Sequence, residues 1–280
     1  MRAKLALLAV FFCQALASAS HAQPPSSVPF QFRSGLVWIE ISATGSARPL
    51  HFLVDSGASQ SVIDLGAARR CGLRLGGAEV VQGVDCETEA RHVRDFRAEV
   101  AGSPLPASLL AIDLSTASRA AEQHIDGLIG ADFFRGRIVQ IDFAARRLRL
   151  LESRPSPAAG GFTLPIRNIN QAICLPIAVN GGRAQWVRLD TGCDEALQWV
   201  TAASPSNVST RTVSIGLSDS SLSYTTTKVK IGEQLFNGVR TGVHRREIFP
   251  GESGLLGNGL LSRFRLTIDG LGHEVVFERL

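Results

Sequence analysis

The sequence has few of the features that mark several large classes of protein. Its 280 residues include one Met, one Tyr and 6% aromatic residues, and the longest apolar run, near residues 5–12, is too short to span a bilayer. Lys occurs after residue 4 only at positions 228 and 230, and no basic stripe interleaved with aromatic residues indicates nucleic-acid binding. With 45% hydrophobic residues, 19% charged residues, 27 Gly and 12 Pro, the composition excludes a coiled coil, a polytopic membrane protein and a disordered chain. It favours strands and turns.

Motifs for several enzyme mechanisms are also absent from the sequence. The histidines form neither H-E-x-x-H nor a close pair, and no C-x-x-C spacing occurs, so a zinc site is not indicated. There is no G-x-S-x-G elbow of a serine hydrolase, and neither G-x-G-x-x-G nor the Gly-Lys-Ser of a phosphate-binding loop is present. We therefore expect no metal, no nucleotide cofactor and no nucleic-acid partner.

The first 22 residues have the pattern of a secretory signal peptide. Arg2 and Lys4 precede an apolar stretch from Leu5 to about Leu16, and small residues then lead to a cleavage position after Ala22. Cleavage after Ala19 and a buried N-terminal helix are the alternatives. We expect export, with the mature protein in the periplasm or outside the cell.

Four cysteines remain after such a cleavage, two in each half of the chain. An oxidising compartment permits disulfide bonds, and Cys71–Cys86 with Cys174–Cys193 is one of three possible pairings. Buried free thiols are an equally open alternative, because a free cysteine behaves as a small hydrophobic residue.

The chain contains the same pattern twice. In the first half, an alternating strand, a turn and a second strand lead into Asp55–Gly57, with the sequence Asp-Ser-Gly. In the second half, the same elements lead into Asp190–Gly192, with the sequence Asp-Thr-Gly. Farther along each half lies a segment of two apolar residues between glycines, at Gly127–Gly130 and at Gly254–Gly257. An internal duplication is the simplest explanation.

The duplication predicts an all-β fold of two β-barrel lobes related by an internal pseudo-two-fold axis, with short helices. Helical pattern is confined to short stretches, chiefly Asp64–Cys71, which is followed by a glycine suited to a C-cap. A stretch rich in Pro and Gly separates the copies and indicates a linker. We expect a signal peptide at 1–22, an N-terminal lobe at 23–152, a linker at 153–161 and a C-terminal lobe at 162–280.

A single triplet of acid, hydroxyl and glycine is ambiguous, because such an Asp usually caps its own turn. Two triplets, each after an apolar strand, favour a pair of facing carboxylates. Two Asp side chains about 3 Å apart cannot both ionise and share one proton. The ionised Asp activates a water molecule, and the protonated Asp donates to the scissile carbonyl oxygen. Asp113 and Asp126 belong to neither triplet, and we interpret them as turn residues.

The remaining residues of the triplets fit the same chemistry. We expect Ser56 and Thr191 to hydrogen-bond across the two-fold seam and to fix the two loops. Gly57 and Gly192 let backbone N–H groups approach the carboxylates closely. The apolar pairs between the later glycines are expected to pack beneath these loops and to exclude water.

At these residues the chain resembles the retropepsin-like aspartic proteases, including bacterial single-chain members with two lobes. Asp55–Ser59 and Gly127–Gly130 match the motifs of that family closely, and the second copy matches at Asp190–Gly192 and Gly254–Gly257. Cys193 replaces the Ala, Ser or Thr that usually follows the triplet. The resemblance implies an aspartic endopeptidase with two retropepsin-like lobes, no cofactor and a peptide or protein substrate. Since one chain carries both triplets, it also implies a monomer.

The site implied by the resemblance has two catalytic residues, Asp55 and Asp190, supported by Ser56, Gly57, Thr191 and Gly192. Members of the family cover the substrate with a glycine-containing hairpin. The two candidates are residues 80–94, with Gly83, and residues 213–231, with Gly216 and Tyr224. An alternative function is a catalytically silent peptide-binding or scaffold protein that keeps the lobes and the cleft. A peptidase with a very narrow substrate range is a third possibility.

Overall fold

The computed structural model describes residues 26–83, 86–202, 209–215 and 218–280. Strands dominate these residues and the helices are short, so the predicted all-β fold with two lobes is confirmed. The predicted signal peptide, residues 1–22, lies outside the described residues. No helix in the described part of the chain is both long and apolar enough to cross a membrane.

The first half of the chain forms an eight-stranded sheet. The strand that leads to the first triplet lies inside this sheet, with an antiparallel neighbour on one side and a parallel neighbour on the other. In spatial order the strands are β2 (Gln31–Arg33), β3 (Leu36–Ile41), β4 (Leu50–Val54), β11 (Gly127–Ile129), β5 (Val62–Asp64), β10 (Leu109–Ile112), β7 (Cys86–Val93) and β6 (Leu75–Gly83).

The second half forms another eight-stranded sheet, in which each strand occupies the same place as its counterpart in the first. Parallel and antiparallel pairings also recur at the same places. The internal duplication read from the motifs therefore extends over the whole sheet. In spatial order the strands are β15 (Arg167–Ile169), β16 (Ala172–Val179), β17 (Gln185–Asp190), β22 (Gly254–Gly257), β18 (Leu197–Val200), β21 (Gln234–His244), β20 (Ser218–Ile231) and β19 (Ser209–Ile215).

A six-stranded sheet joins the two halves. Its central pair is antiparallel, and one strand of that pair comes from each half; Gln140 faces Thr267 in the register and donates a hydrogen bond to its hydroxyl at 3.1 Å. This sheet has the symmetry of the duplication about its centre. The strands are β1 (Ser27–Pro29), β13 (Arg147–Leu151), β12 (Ile138–Asp142), β23 (Phe264–Asp269), β24 (Glu274–Arg279) and β14 (Phe162–Pro165). Residues 152–161, between β13 and β14, form neither strand nor helix.

Short helices and a small hairpin complete the fold. The helix predicted near Asp64–Cys71 is confirmed: Asp64 caps it by accepting a hydrogen bond from the N–H of Ala67, and Gly72 follows with φ +68°. Two four-residue helices lie at equivalent places, directly after the Gly-apolar-apolar-Gly segments. The elements are α1 (Leu65–Arg70), α2 (Ser115–Ala120), α3 (Ala131–Phe134), α4 (Asn258–Leu261) and the strands β8 (Glu99–Val100) and β9 (Ser103–Pro104).

The alternation of side chains along the strands divides the core into two clusters. In β3, Val37, Ile39 and Ile41 enter a large cluster that extends through both halves, whereas Leu36 and Trp38 on the opposite face enter a smaller cluster. Leu53, Val62 and Leu110 also belong to the smaller cluster and contribute to the wall of a cleft. The β-sheet thus has a packed face and a face that shapes the candidate site.

Candidate functional site

The two triplets meet where β4 and β17 end. Reciprocal hydrogen bonds join them: the N–H of Ser56 donates to the hydroxyl of Thr191 at 2.9 Å, and the N–H of Thr191 donates to the hydroxyl of Ser56 at 3.1 Å. The hydroxyls in turn donate across the seam, Ser56 to the carbonyl of Leu189 and Thr191 to the carbonyl of Val54, both at 2.7 Å. The contact predicted between the two hydroxyl residues is therefore present.

The glycines of the triplets bring each carboxyl group against the opposite loop. A Cβ atom built on Gly57 would lie 2.4 Å from Cγ of Asp190, and one built on Gly192 would lie 2.4 Å from Cγ of Asp55. Because no side chain fits in either space, both positions require glycine. The two carboxyl groups are therefore close enough for the pKa of each to depend on the other.

The two carboxyl groups accept different numbers of hydrogen bonds from backbone N–H groups. Oδ1 of Asp55 accepts from the N–H groups of Gly57 and Ala58, both at 3.0 Å. Oδ1 of Asp190 accepts from the N–H of Gly192 at 2.9 Å. Hydrogen bonds from N–H groups favour the ionised carboxylate, so Asp55 is better prepared to hold the negative charge.

The pKa directions follow from burial and from the closeness of the pair. Burial raises the pKa of Asp190 to about 8, and the negative charge of Asp55 adds to that rise. Burial also raises the pKa of Asp55, but the N–H groups of Ala58 and Gly57 and the charge of Arg188 oppose the rise. The two groups titrate as a unit, and the proton that they share is held mainly by Asp190.

The segments beneath the two loops support them in the same way. The N–H of Ala131 donates to the carbonyl of Ala58 at 2.7 Å, and the N–H of Asn258 donates to the carbonyl of Cys193 at 2.8 Å. One residue of each predicted apolar pair, Ile129 in the first copy and Leu256 in the second, is completely buried. The other residue of each pair, Leu128 or Leu255, lines the cleft, and Leu255 is also buried. Equivalent segments therefore support the two loops by equivalent hydrogen bonds.

A cleft of about 740 Å³ opens above the two carboxyl groups. Its two halves differ in chemistry. The wall from the first half of the chain is largely apolar, and that from the second half carries most of the polar and charged side chains. The apolar wall includes Leu36, Leu53, Val62, Leu110, Ile112, Leu114, Ile125 and Leu128, and the polar wall includes Asn170, Arg188, Asp194, Glu195, Gln198 and Tyr224.

The two hairpins considered as covers for the substrate occupy equivalent places, β6–β7 in the first half and β19–β20 in the second. Residues 81–83 of the first hairpin line the cleft, and Gly83 is the last described residue before its tip. Tyr224 of the second hairpin is buried, lines the cleft and donates to Glu195 at 3.0 Å. Gly216 lies outside the described residues. Which hairpin covers a substrate stays a prediction.

The structure brings three further residues to the site, Arg188, Glu252 and Asn258, which the motifs do not predict. Arg188 and Glu252 form a buried ion pair in the cleft wall. Asn258 is buried behind the second loop, where its amide nitrogen donates to the carbonyls of Gly35 and Thr191, both at 2.7 Å. Only Arg188 has a signal in the sequence: it is a charged residue between the apolar residues Val187 and Leu189, at a position where the first copy has Leu53.

The interpretation of Asp126 as a turn residue is wrong. Asp126 is buried next to β11, forms an ion pair with Arg70 and accepts a hydrogen bond from the N–H of His51 at 2.9 Å. It therefore links helix α1 to the sheet. Asp113 is exposed and accepts from the N–H of Ser115 at 2.8 Å, as a local turn residue does.

The cysteines whose side chains are described are free and buried: Cys71, Cys174 and Cys193. A bridge between Cys174 and Cys193 is thus not formed, and the alternative of buried thiols holds for these three. Cys193 contacts Gly257, whose added Cβ would lie 3.0 Å from that of Cys193, and it also lines the cleft. In the described part of the chain, no three His, Cys, Asp or Glu residues are grouped so as to hold a metal ion.

The pH dependence of stability provides a test of the shared proton. Because Asp190 keeps its proton to about pH 8 when folded but loses it near pH 4 when unfolded, its contribution to stability declines as the pH rises between these values. We expect Asp190→Asn to abolish this decline, which has a slope of at most about 1.4 kcal/mol per pH unit. The measurement is the free energy of unfolding by denaturant at pH 5, 6, 7 and 8.

Asp113→Asn serves as the control for that experiment. The N–H of Ser115 lowers the pKa of the exposed Asp113, so its titration lies below the tested range. An Asp190→Asn variant that keeps the same slope as the wild type would contradict the placement of the proton on Asp190.

The glycine contacts give a second prediction. Gly57→Ala and Gly192→Ala each force a methyl group into the opposite carboxyl group, and we expect each to lower the free energy of unfolding by about 1–3 kcal/mol. Gly77→Ala is the matched control, because a Cβ there has no heavy atom within 4 Å, and its effect should stay within about 0.5 kcal/mol. The measurement is the free energy of unfolding by denaturant at one pH. Equal values for all three variants would contradict the close packing of the glycines against the carboxyl groups.

Comparison with known proteins agrees with this geometry. The aspartyl protease family matches residues 39–133, a segment that begins in β3, includes the first triplet and ends in α3. No curated protein matches the chain. The matched segment covers most of the first eight-stranded sheet, and the second eight-stranded sheet has the same strand order. The matched segment lies in the first lobe, and it supports the resemblance of that lobe to the retropepsin-like aspartyl proteases.

Proposed function

We propose that the protein is an exported aspartic endopeptidase that hydrolyses peptide bonds with a water molecule activated by Asp55 and Asp190. One observation carries the proposal. The reciprocal hydrogen bonds of Ser56 and Thr191 hold the partly buried carboxyl group of Asp55 against the buried carboxyl group of Asp190 at the floor of a cleft. Such a pair shares one proton, which supplies a base and an acid at the same place.

The asymmetry of the pair supports a different role for each carboxyl group. Asp55, with two N–H donors, is the ionised member and removes a proton from the attacking water. Asp190, whose pKa is raised to about 8, is the protonated member and donates to the carbonyl oxygen of the scissile bond. Gly57 and Gly192 leave the space that lets the carboxyl groups approach, and Ser56 and Thr191 fix the loops.

The chemistry of the cleft supports an extended peptide as substrate. The largely apolar wall of the first half suits an apolar side chain on one side of the scissile bond. The second half offers Asp194, Glu195 and Gln198 to polar or basic groups on the other side. The two equivalent hairpins lie at the cleft, where either is suited to cover the bound chain.

Export and domain division complete the proposal. Export rests on the sequence of the first 22 residues, with a charged start, an apolar stretch and small residues before the cleavage position. The division into lobes at 23–152 and 162–280 with a linker at 153–161 is supported by the two equivalent sheets and by the irregular stretch between β13 and β14.

Isosteric substitution tests the catalytic assignment. We expect Asp55→Asn and Asp190→Asn each to reduce peptide cleavage by at least about a thousandfold while leaving the fold intact, because one carboxyl group alone cannot act as both base and acid. The assay follows cleavage of a mixed peptide library by mass spectrometry between pH 3 and 8, and Asp113→Asn is the control. Near wild-type turnover of either variant would disprove the two-carboxylate mechanism. A wild type that binds peptides without cleaving them would favour the scaffold alternative.

The presence of both triplets in one chain predicts that the active unit is a monomer. Light scattering should give the mass of one chain, and specific activity should stay constant on dilution, since no second chain contributes a carboxyl group. A dimeric mass combined with activity that falls as the square of concentration would contradict this prediction.

A further inference from the structure

A buried ion pair lies in the wall of the cleft, close to the two carboxyl groups. Arg188 is on β17, two residues before Asp190, and Glu252 lies two residues before β22. Their side chains are 5% and 1% exposed. Nε of Arg188 donates to Oε2 of Glu252 at 2.7 Å, and Nη2 donates to Oε1 at 2.5 Å, so the pair is bidentate.

The third nitrogen of the guanidinium group reaches the other loop. Nη1 of Arg188 donates to the carbonyl of Gly57 at 2.8 Å. Gly57 is the residue whose N–H donates to the carboxylate of Asp55. The ring of Phe249 lies 3.5 Å from the guanidinium carbon and packs against its face. Arg188 thus connects the second half of the chain to the loop that carries Asp55.

The duplication shows that the fold does not need this ion pair. Arg188 faces Leu255 in the parallel register of the second half, as Leu53 faces Leu128 in the first. Leu53 is therefore the counterpart of Arg188, and Ile125, two residues before β11, is the counterpart of Glu252. Both counterparts are apolar and buried in the smaller core cluster. Since an apolar pair of similar size commonly replaces a buried ion pair without loss of stability, the charges require another explanation.

We propose that Arg188 is a positioning residue of the catalytic pair: it holds the Gly57 carbonyl in place across the seam, and its positive charge favours the singly ionised state in which one carboxylate acts as base. This inference rests on the proposed function. The charge of Arg188 opposes the rise in pKa of both Asp55 and Asp190, which agrees with the proposal. Without that charge, we expect both titrations of the pair to move to higher pH.

Other charged groups surround the pair and must be considered with Arg188. From the second half, Asp194 and Glu195 follow the triplet, and Glu195 is bound by Arg240 and by Tyr224. These acids add negative charge and so act in the opposite sense to Arg188. Further groups on the packed elements are the thiol of Cys193, Glu252 as partner of Arg188, and two residues of or next to α3: Asp132, which accepts from Ser61, and Arg135, which donates to the carbonyl of Ser59.

The first half of the chain supplies the substitution that tests the proposal. We expect the double variant Arg188→Leu/Glu252→Ile, which installs the pair found in the first copy, to fold. The acidic limb of its pH profile for kcat/KM should move up by about 1 pH unit, and kcat should fall about tenfold or more, with a smaller change in KM. Arg135→Leu is the matched control, because that exposed arginine also donates to a loop carbonyl but does not form the buried pair. Its pH profile should match that of the wild type.

Two single variants separate the effect of the charge of Arg188 from the effect of its hydrogen bonds. Arg188→Lys keeps the charge but cannot make all three contacts, so kcat should fall while the pH profile stays in place. Glu252→Gln leaves the positive charge of Arg188 without its counter-charge, so the acidic limb should move to lower pH. These variants also decide the question if the double variant does not fold. Wild-type kcat in Arg188→Lys, or an unmoved profile in Glu252→Gln and in a folded double variant, would overturn the proposal.

The pH dependence of unfolding separates this inference from the proposed function. If the wild type cleaves no peptide, the endopeptidase proposal fails, and the range of pH in which the free energy of unfolding declines still reports the titration of the pair. The double variant should extend that range to higher pH. The same range in both proteins would show that Arg188 does not act on the two carboxyl groups.

Discussion

The structure depends on the reciprocal hydrogen bonds at the seam between the two copies. Two carboxyl groups repel each other when both are ionised, so their closeness must be imposed by neighbouring groups. The hydroxyls of Ser56 and Thr191 do this because each accepts from the opposite N–H group and donates to the opposite carbonyl. These bonds are buried, and the loss of either hydroxyl would leave a backbone donor and an acceptor unsatisfied. The glycines that follow make room for the carboxyl groups.

Around this symmetrical seam the two copies have different chemistry. Asp55 accepts two backbone hydrogen bonds and Asp190 accepts one, so a pair that is equivalent in fold is unequal in proton affinity. Arg188 and Glu252 are a second difference between the copies, since the first copy has the apolar pair Leu53 and Ile125 in their place. The cleft also has one largely apolar wall and one polar wall. A duplicated chain can diverge in this way because each position of the pair is encoded separately.

Much of the fold could be predicted from sequence because its determinants are local. The nearly continuous apolar run of β3 identifies a strand with two buried faces, and Asp64 before a short helical stretch identifies a cap. Long-range pairing is different. The sheet that joins the copies depends on the register of β12 against β23, where Gln140 meets Thr267, and no local signal marks that contact. The role of Asp126 has no local signal for the same reason, since its partners Arg70 and His51 are far away in sequence.

The sequence by itself determined the duplication, the two triplets and the strand-rich character of the chain. Each of these is a pattern of neighbouring residues or the repetition of such a pattern. The tertiary structure alone decided the distance between the carboxyl groups, the number of donors that each accepts and the partner of Arg188. The role of a charged residue in an apolar strand, such as Arg188, can be assigned only when the groups around it are known. The hydrogen bonds of Arg188 to Glu252 and to Gly57 join residues that are 64 and 131 positions away along the chain. Such contacts exist only after folding, because the free energy of a buried charge depends on the groups that surround it in space.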